Sequence, residues 1–214
     1  MLTVYLIRHG RTEGNRRGAY IGRTDEPLSE IGKAELLPYI EKRPLVDAVY
    51  SSPMLRCRET AGLFYPEREP VLIEGLKEFD FGAFEGRTFD QLKDAPGIQE
   101  WIDSHGRAPF PGGEDWTLFH KRCIDSFAQA VLNSFESGRE SAAVFAHGGV
   151  IITIMAQLMG EDDEPFRFHA KNGEGFAVAI DRPLFERRRA RGFSPWPDGA
   201  NAPDVVLKRF EAGK

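Results

Sequence analysis

The chain has 214 residues, is 41% hydrophobic and 29% charged, and carries a net charge of −5 at pH 7. That composition is of a soluble globular chain long enough for one sizeable domain, and its acidic balance gives no support to nucleic-acid binding. Two cysteines far apart in sequence, Cys57 and Cys123, argue against a disulfide scaffold or a cysteine-based metal site and fit a reducing cytosol.

The N-terminus enters an apolar run after two residues with no basic segment before it, so it does not read as a signal peptide. Val4 to Ile7 reads as a buried strand and ends in Arg8-His9-Gly10-Arg11. A histidine between two arginines on the turn leaving a strand suggests a nucleophile or base in an anion-attracting field. The alternative is a strand end with solvated charges. Gly10 would let the backbone turn and leave room for a ligand beside the imidazole.

A loop is expected over Gly14–Pro27, then a helix from Ser29, its N-cap, to about Lys42. That helix would present Ile31, Ala34, Leu37 and Ile40 on one face, and Pro38 predicts a kink or an early stop. Val46–Tyr50 is a second strand. It leads into Ser51-Ser52-Pro53, where Ser52 can cap a helix running from Met54 to about Tyr65. Arg56 and Arg58 near that helix start make a second anion site, with Cys57 as a small buried filler.

Val71–Ile73 is a third strand, followed by an aromatic and acidic loop from Leu76 to Gly86, two short helices over Thr88–His105, and a loop from Gly106 to Glu114. From Asp115 to about Glu136 an apolar residue recurs every four positions (Phe119, Cys123, Phe127, Val131, Phe135), the mark of a long amphipathic helix. Ser141 to Gly160 is uncharged and has the length of a membrane span, but His147-Gly148-Gly149 interrupts it. A strand over Ala142–Ala146, a turn and a helix over Val150–Met159 explain it better. A strand near Gly175–Ile180, an exposed excursion over about 182–203 and an edge strand over Asp204–Phe210 complete the chain. Strands alternating with helices predict an α/β fold with a largely parallel sheet, whose site lies beyond the carboxyl ends of its strands.

Chemistry-bearing residues therefore fall at three strand ends, and these carry a resemblance. Leu6-Ile-Arg-His-Gly-Arg-Thr-Glu-Gly-Asn15 resembles the signature of the histidine phosphatase superfamily, also called phosphoglycerate-mutase-like. Ser51-Ser-Pro-Met-Leu-Arg-Cys-Arg-Glu-Thr-Ala61, Leu76-Lys-Glu-Phe-Asp-Phe-Gly-Ala-Phe-Glu-Gly86 and Ala146-His-Gly-Gly149 follow in the family's order. The resemblance covers roughly residues 2–180 and implies a three-layer α/β/α fold with a mostly parallel central sheet, in one domain spanning residues 1–214. It implies a metal-independent phosphomonoester hydrolase with no cofactor, in the cytoplasm, acting on a small phosphate ester and on neither membrane nor nucleic acid.

The implied roles go to particular residues. His9 is the nucleophile, Glu78 the proton donor, and His147 a second, protonated phosphate ligand; Arg8, Asn15, Arg56 and Gly148 bind the phosphate. The physics agrees, since phosphoryl transfer is mostly positioning and charge stabilisation, and guanidinium forks match phosphate geometry. Asp80 and Glu85 are rivals for Glu78, and Arg58 for Arg56; His147 could instead pack under a turn. His105, His120 and His169 carry no motif and read as ordinary residues, though His169 lies just before Asn172-Gly173, where family members approach the pocket. The arginine run over 187–191 reads as a solvated face.

Cofactor-dependent mutases of the family usually carry a longer basic insertion after the Glu-Gly motif, whereas Arg87–Asp115 is short and mixed in charge. That favours a phosphatase over a mutase or a non-catalytic phospho-ligand binder. Tyr20–Leu28 and Phe110–Asp115 resemble most the small bacterial branch that contains alpha-ribazole phosphatases. Phe79, Phe81, Phe84, Trp101 and Trp116 would line an aromatic pocket or form core.

Overall fold

The structure, a computed structural model, describes residues 1–104, 108–160, 165–190 and 207–210. Its central strand is β1 (Leu2–Arg8), after which come a one-turn helix α1 (Glu13–Arg16), α2 (Glu30–Glu41), β2 (Ala48–Ser51), α3 (Leu55–Phe64) and the two-residue β3 (Val71–Leu72). Short 3-10 turns at Glu74–Leu76 and Gly82–Phe84 precede α4 (Phe89–Leu92), α5 (Ile98–Asp103) and the long α6 (Trp116–Glu136). Then follow β4 (Ser141–Ala146), α7 (Gly148–Met159), a 3-10 turn at Pro165–Phe168, β5 (Gly175–Ile180), α8 (Arg182–Ala190) and β6 (Leu207–Phe210).

The strands form one six-stranded sheet in the order β3-β2-β4-β1-β5-β6. β1, β2, β3 and β4 run parallel, while β5 pairs antiparallel with β1 and β6 antiparallel with β5. Residues alternate across the sheet as a strand's period of two requires. Leu2, Val4, Leu6, Ala142, Val144 and Ala146 face the core under α6 and α7. Ile7, Ala143 and Phe145 face a smaller core with Leu36, Cys57, Ala61 and Phe64 of α2 and α3. The fold is therefore a three-layer α/β/α arrangement with a mostly parallel sheet, and the parallel strands bring the C-terminal ends of β1, β2 and β4 side by side. No helix among the described residues is long and apolar enough to cross a membrane.

Three local expectations are corrected. The buried stripe of α2 is Gly32 and Leu36, whereas Ile31 and Leu37 are 49% and 58% exposed. The rotational phase is set by close approach: a Cβ at Gly32 would lie 2.0 Å from the Arg11 carbonyl oxygen, so the helix can meet β1's turn only on this side. Ser29 does cap α2, and the helix continues through Pro38 to Glu41. Ser52 does not cap α3; the helix's first N–H group, at Leu55, is taken by Asp25 Oδ1 at 2.7 Å. Within the expected loop 14–27, Thr12 and Asn15 instead close α1 in a reciprocal capping box.

The expected excursion begins as α8, whose Phe185 is buried; its residues 191–203 lie outside the described residues, as do His105, Arg191 and positions 204–206 of the last expected strand.

Leu36→Ala should destabilise the protein by about 2–5 kcal/mol, and the adjacent Leu37→Ala by no more than about 0.5 kcal/mol. Urea unfolding of the two variants measures this. Equal losses would show that the α2 face is assigned wrongly.

Candidate active site

His9 follows β1 and His147 follows β4, and the pairing of these strands continues one residue beyond their ends through a bond from His9 N to Ala146 O at 3.0 Å. Their rings consequently meet edge to face with centroids 5.1 Å apart. His9 is 3% exposed, and His147 and Arg56 are fully buried.

His9 Nδ1 lies 2.6 Å from the carbonyl oxygen of Gly10. A carbonyl only accepts, so Nδ1 carries the proton and Nε2 keeps its lone pair. The turn is held in place by Thr60, whose hydroxyl accepts from Gly10 N at 2.9 Å and donates to Arg56 O at 2.6 Å. A Cβ at Gly10 would come within 2.7 Å of Leu36 Cδ1. The packing of Leu36 on α2 against this turn thus favours glycine here.

His147 is fixed in the opposite tautomer. Its Nδ1 accepts from Arg56 Nε at 3.2 Å, which places the proton on Nε2, 2.9 Å from Ser52 Oγ. Burial pushes the pKa of both imidazoles well below 6.5; Arg56 adds to this for each, as do Arg8 and, at His147, the second imidazole. Without a ligand His147 is thus pushed towards the neutral form, while the protonated His147 expected above belongs to the phosphate-bound site.

Arg56 also donates to Gly22 O and Thr24 O, each at 2.8 Å, whereas Arg58 is exposed. Arg8 Nη1 donates to Ala170 O at 2.8 Å and to His169 Nε2 at 3.2 Å. Arg8 Nε is buried and has no hydrogen-bond partner. It lies 3.5 Å from where a Cβ on Gly148 would be, at the first residue of α7. A buried, unpaired guanidinium N–H beside a helix N-terminus is a donor arranged for an anion.

Among the three candidate acids only Glu78 reaches this region. Its Oε1 accepts from Phe79 N at 2.9 Å and its Oε2 from Gly149 N at 3.0 Å. A Cβ on Gly149 would lie 2.6 Å from Oε1, so the second glycine admits the carboxylate. Glu85 instead binds the backbone N–H groups of Gly22, Arg23 and Phe81, and Asp80 that of Gly82. Asn15 is joined to the site through Asn172, whose Nδ2 donates to His9 O at 2.9 Å and to Asn15 Oδ1 at 3.4 Å.

A cleft of about 280 Å³ opens from this cluster. Arg8, Glu78, Gly148 and Gly149 form its polar end, and Tyr20, Phe79, Phe81, Trp101, Trp116 and Phe166 its aromatic walls. Phe84 is not a wall; it is buried behind Phe110, with ring centroids 4.7 Å apart. Among the described residues no group of three or more His, Cys, Asp or Glu is gathered as a metal site.

The structure thus brings together His9, Arg8, Arg56, His147, Gly148 and Glu78, with Asn15 at the margin. Sequence reasoning missed Ser52, Thr60 and Asn172 as positioning groups, and left His169 as an ordinary residue although it lines the cleft. Thr60, within the Arg-x-x-x-Thr-Ala pattern, was the one with a readable signal.

Residues 4–186 match the family model described as the histidine phosphatase superfamily (branch 1). A Hydrogenobacter thermophilus protein provisionally named phosphoserine phosphatase 2 is 32% identical over 166 residues, 75% of this chain and 80% of its own. The Escherichia coli adenosylcobalamin/alpha-ribazole phosphatase is 31% identical over 186 residues, 84% of this chain and 90% of its own. The crystal structure of the Shigella flexneri alpha-ribazole phosphatase superposes with a TM-score of 0.75 at 26% identity, covering 85% of this chain and 92% of that one.

Two histidines held neutral make stability depend on pH. Below pH 6.5 the unfolded chain binds protons at both imidazoles and the folded chain does not. Stability should therefore fall as pH drops from 6.5 towards the lowered folded pKa values, by roughly 1.4 kcal/mol per pH unit for each histidine. Urea unfolding between pH 7.5 and 5 checks this, and His9→Gln should remove about half of the slope.

Proposed function

The chain belongs to the histidine phosphatase superfamily and is a phosphoric monoester hydrolase; from the geometry of its site we propose that it works through a phosphohistidine on His9. The observation that carries this reading is the Gly10 carbonyl, which leaves His9 Nε2 unprotonated in a pocket built around two arginines. Nε2 attacks phosphorus and the ester P–O bond breaks, with the proton for the departing oxygen supplied by Glu78. Assistance of this kind is worth about 10²–10⁴-fold. Glu78, then deprotonated, takes a proton from the water that attacks phospho-His9, which releases inorganic phosphate and restores both residues.

The phosphoryl oxygens are bound by Arg8 through its unpaired Nε, by the start of α7 at Gly148, and by Asn15. Arg56 contributes mainly as a fixed charge, since most of its donors are already held by His147 and by backbone carbonyls. His147, neutral in the empty site, faces the opposite Coulomb balance once a phosphate dianion arrives, and its affinity for a proton rises. Charge supplied by side chains in this way makes the proposed route metal-independent.

The aromatic cleft supports an alcohol that is apolar and planar, in keeping with an alpha-ribazole phosphate. Arg8 is the one fixed cation among the described residues lining the cleft, so the carboxylate of phosphoserine or of a phosphoglycerate finds no counter-ion besides it. The same point ranks a phosphoglycerate-type mutase below a phosphatase. A non-catalytic binding role is disfavoured because nucleophile, acid and cations are all in place. Both cysteines are free and buried, in keeping with a cytosolic enzyme.

Hydrolysis of 4-nitrophenyl phosphate in EDTA tests the route. Wild type should turn over and form an acid-labile phosphoprotein on rapid quench, while His9→Ala falls to background and forms none. Equal turnover in the two would remove His9 from the reaction. In the same assay alpha-ribazole phosphate should exceed phosphoserine and 3-phosphoglycerate in kcat/KM; the reverse order would overturn the aromatic reading.

A further inference from the structure

The Phe110–Asp115 motif and the long helix α6 have no part in the route above, yet together they surround one guanidinium. Arg122, on α6, places all five of its N–H donors on acceptors. Nη1 donates to Gly75 O at 2.8 Å and to Lys77 O, and Nη2 to Glu78 O at 2.9 Å. The other two donors form a fork onto Glu114, Nε to Oε1 at 2.6 Å and Nη2 to Oε2 at 2.7 Å. The guanidinium also lies 4.8 Å from the centre of the Phe119 ring, a wall of the cleft. Both partners are mostly buried, with side chains 20% and 13% exposed.

We propose that Arg122, clamped by Glu114, is a positioning residue that holds Glu78 within reach of the leaving oxygen; this rests on the reading of Glu78 as proton donor. Three carbonyls of the 75–78 turn converge on one planar cation, so the backbone that carries Glu78 is located by α6. The contact is close: a Cβ on Gly75 would lie 2.0 Å from Ser126 Oγ. With the backbone fixed, the bonds from Phe79 N to Oε1 and from Gly149 N to Oε2 are enough to aim the carboxylate. Glu114 is itself anchored, its N–H donating to Asp80 O at 3.0 Å beyond a turn closed by Gly113 N on Phe110 O at 2.8 Å. The Pro-Gly-Gly-Glu sequence therefore serves to deliver a carboxylate to Arg122. Lysine could not substitute, having three donors and no planar fork. A shift of about 1 Å in a catalytic group can cost about 10²-fold.

The decisive readout is dependence on the leaving group, because 4-nitrophenolate departs without a proton and an alkoxide does not. kcat/KM for 4-nitrophenyl phosphate and for an alkyl phosphate is measured on wild type, Glu78→Gln, Arg122→Met, Arg122→Lys and Glu114→Gln, with thermal melts on each. Glu78→Gln should lose about 10²-fold or more on the alkyl ester beyond its loss on the aryl ester. Arg122→Met should show the same bias at about tenfold or more, and Arg122→Lys should not restore the wild-type ratio. If Arg122→Met does not fold, Arg122→Lys and Glu114→Gln carry the test through the same ratio. A biased Glu78→Gln beside foldable Arg122 and Glu114 variants that lose both activities equally, or neither, overturns the positioning role and leaves Glu78 as donor. An unbiased Glu78→Gln overturns the donor reading and the proposal with it.

Discussion

A buried guanidinium bound to backbone carbonyls and one imidazole organises the candidate site of this molecule. Taking a cation out of water costs several kcal/mol unless its donors are matched, and Arg56, 0% exposed, is matched by His147 Nδ1 and the carbonyls of Gly22 and Thr24. Those carbonyls can turn inward because the N–H groups of the same loop are held from the other side. Glu85 accepts from Gly22 N and Arg23 N, and its Oε2 from the Thr24 hydroxyl at 2.8 Å. The loop is thus polarised between a cation and an anion that never touch each other. Gly22 is the residue that permits it, since a Cβ there would lie 1.8 Å from Phe79 O.

The same charge governs the two imidazoles. Burial and the neighbouring Arg56 both push the two imidazoles towards the neutral form, and in a neutral imidazole the tautomer is decided by the bond at the other nitrogen. Arg56 Nε assigns that bond for His147. For His9 the Gly10 carbonyl does so, and Gly10 is aimed by Thr60, which is in turn bonded to the carbonyl oxygen of Arg56 itself. One residue on α3 therefore bears on both histidines, on His147 directly through its side chain and on His9 through Thr60 and Gly10. Truncating it removes a charge and loosens two orientations together, so its loss cannot be read as the loss of a phosphate contact alone.

The parts of this arrangement legible in the sequence are those encoded by chain-local pattern. The apolar run before Arg8-His9, the Ser51–Ala61 stretch and the turn at His147 each announce a strand end, and parallel pairing does the rest. The face of α2 was not legible, because Ile31/Leu37 and Gly32/Leu36 are both apolar stripes and periodicity cannot rank them; a backbone approach at Gly32 decides. Arg122 was invisible for a different reason. Three of its partners are backbone carbonyls, which every residue possesses, so no spacing of residue types marks them. Ser52 was misassigned because a serine before a helix is a good cap in isolation, whereas here its hydroxyl faces a histidine 95 positions away.

The division between what was read and what was missed follows a division in the molecule. In the proposed route the groups at the phosphate end come from the ends of β1 and β4, beside the fixed charge of Arg56 on α3, and are held by sheet pairing and buried hydrogen bonds. Several walls of the cleft that would meet the alcohol (Phe79, Phe81, Trp101) come from the single connection between β3 and α6, which contributes only short helices and turns to the fold. Substitution in that connection can reshape the cleft without moving His9, which is why loops on a rigid scaffold carry specificity. Glu78 lies on the boundary, since it belongs to the connection by sequence and to the phosphate end by contact. A residue in that position needs its own anchor to α6, independent of whatever the aromatic wall becomes, and the five-donor clamp at Arg122 supplies one. Relatives named for different phosphate esters are what the proposed construction would permit: a fixed phosphate end beside an exchangeable alcohol end, joined by Glu78, whose backbone is anchored to α6.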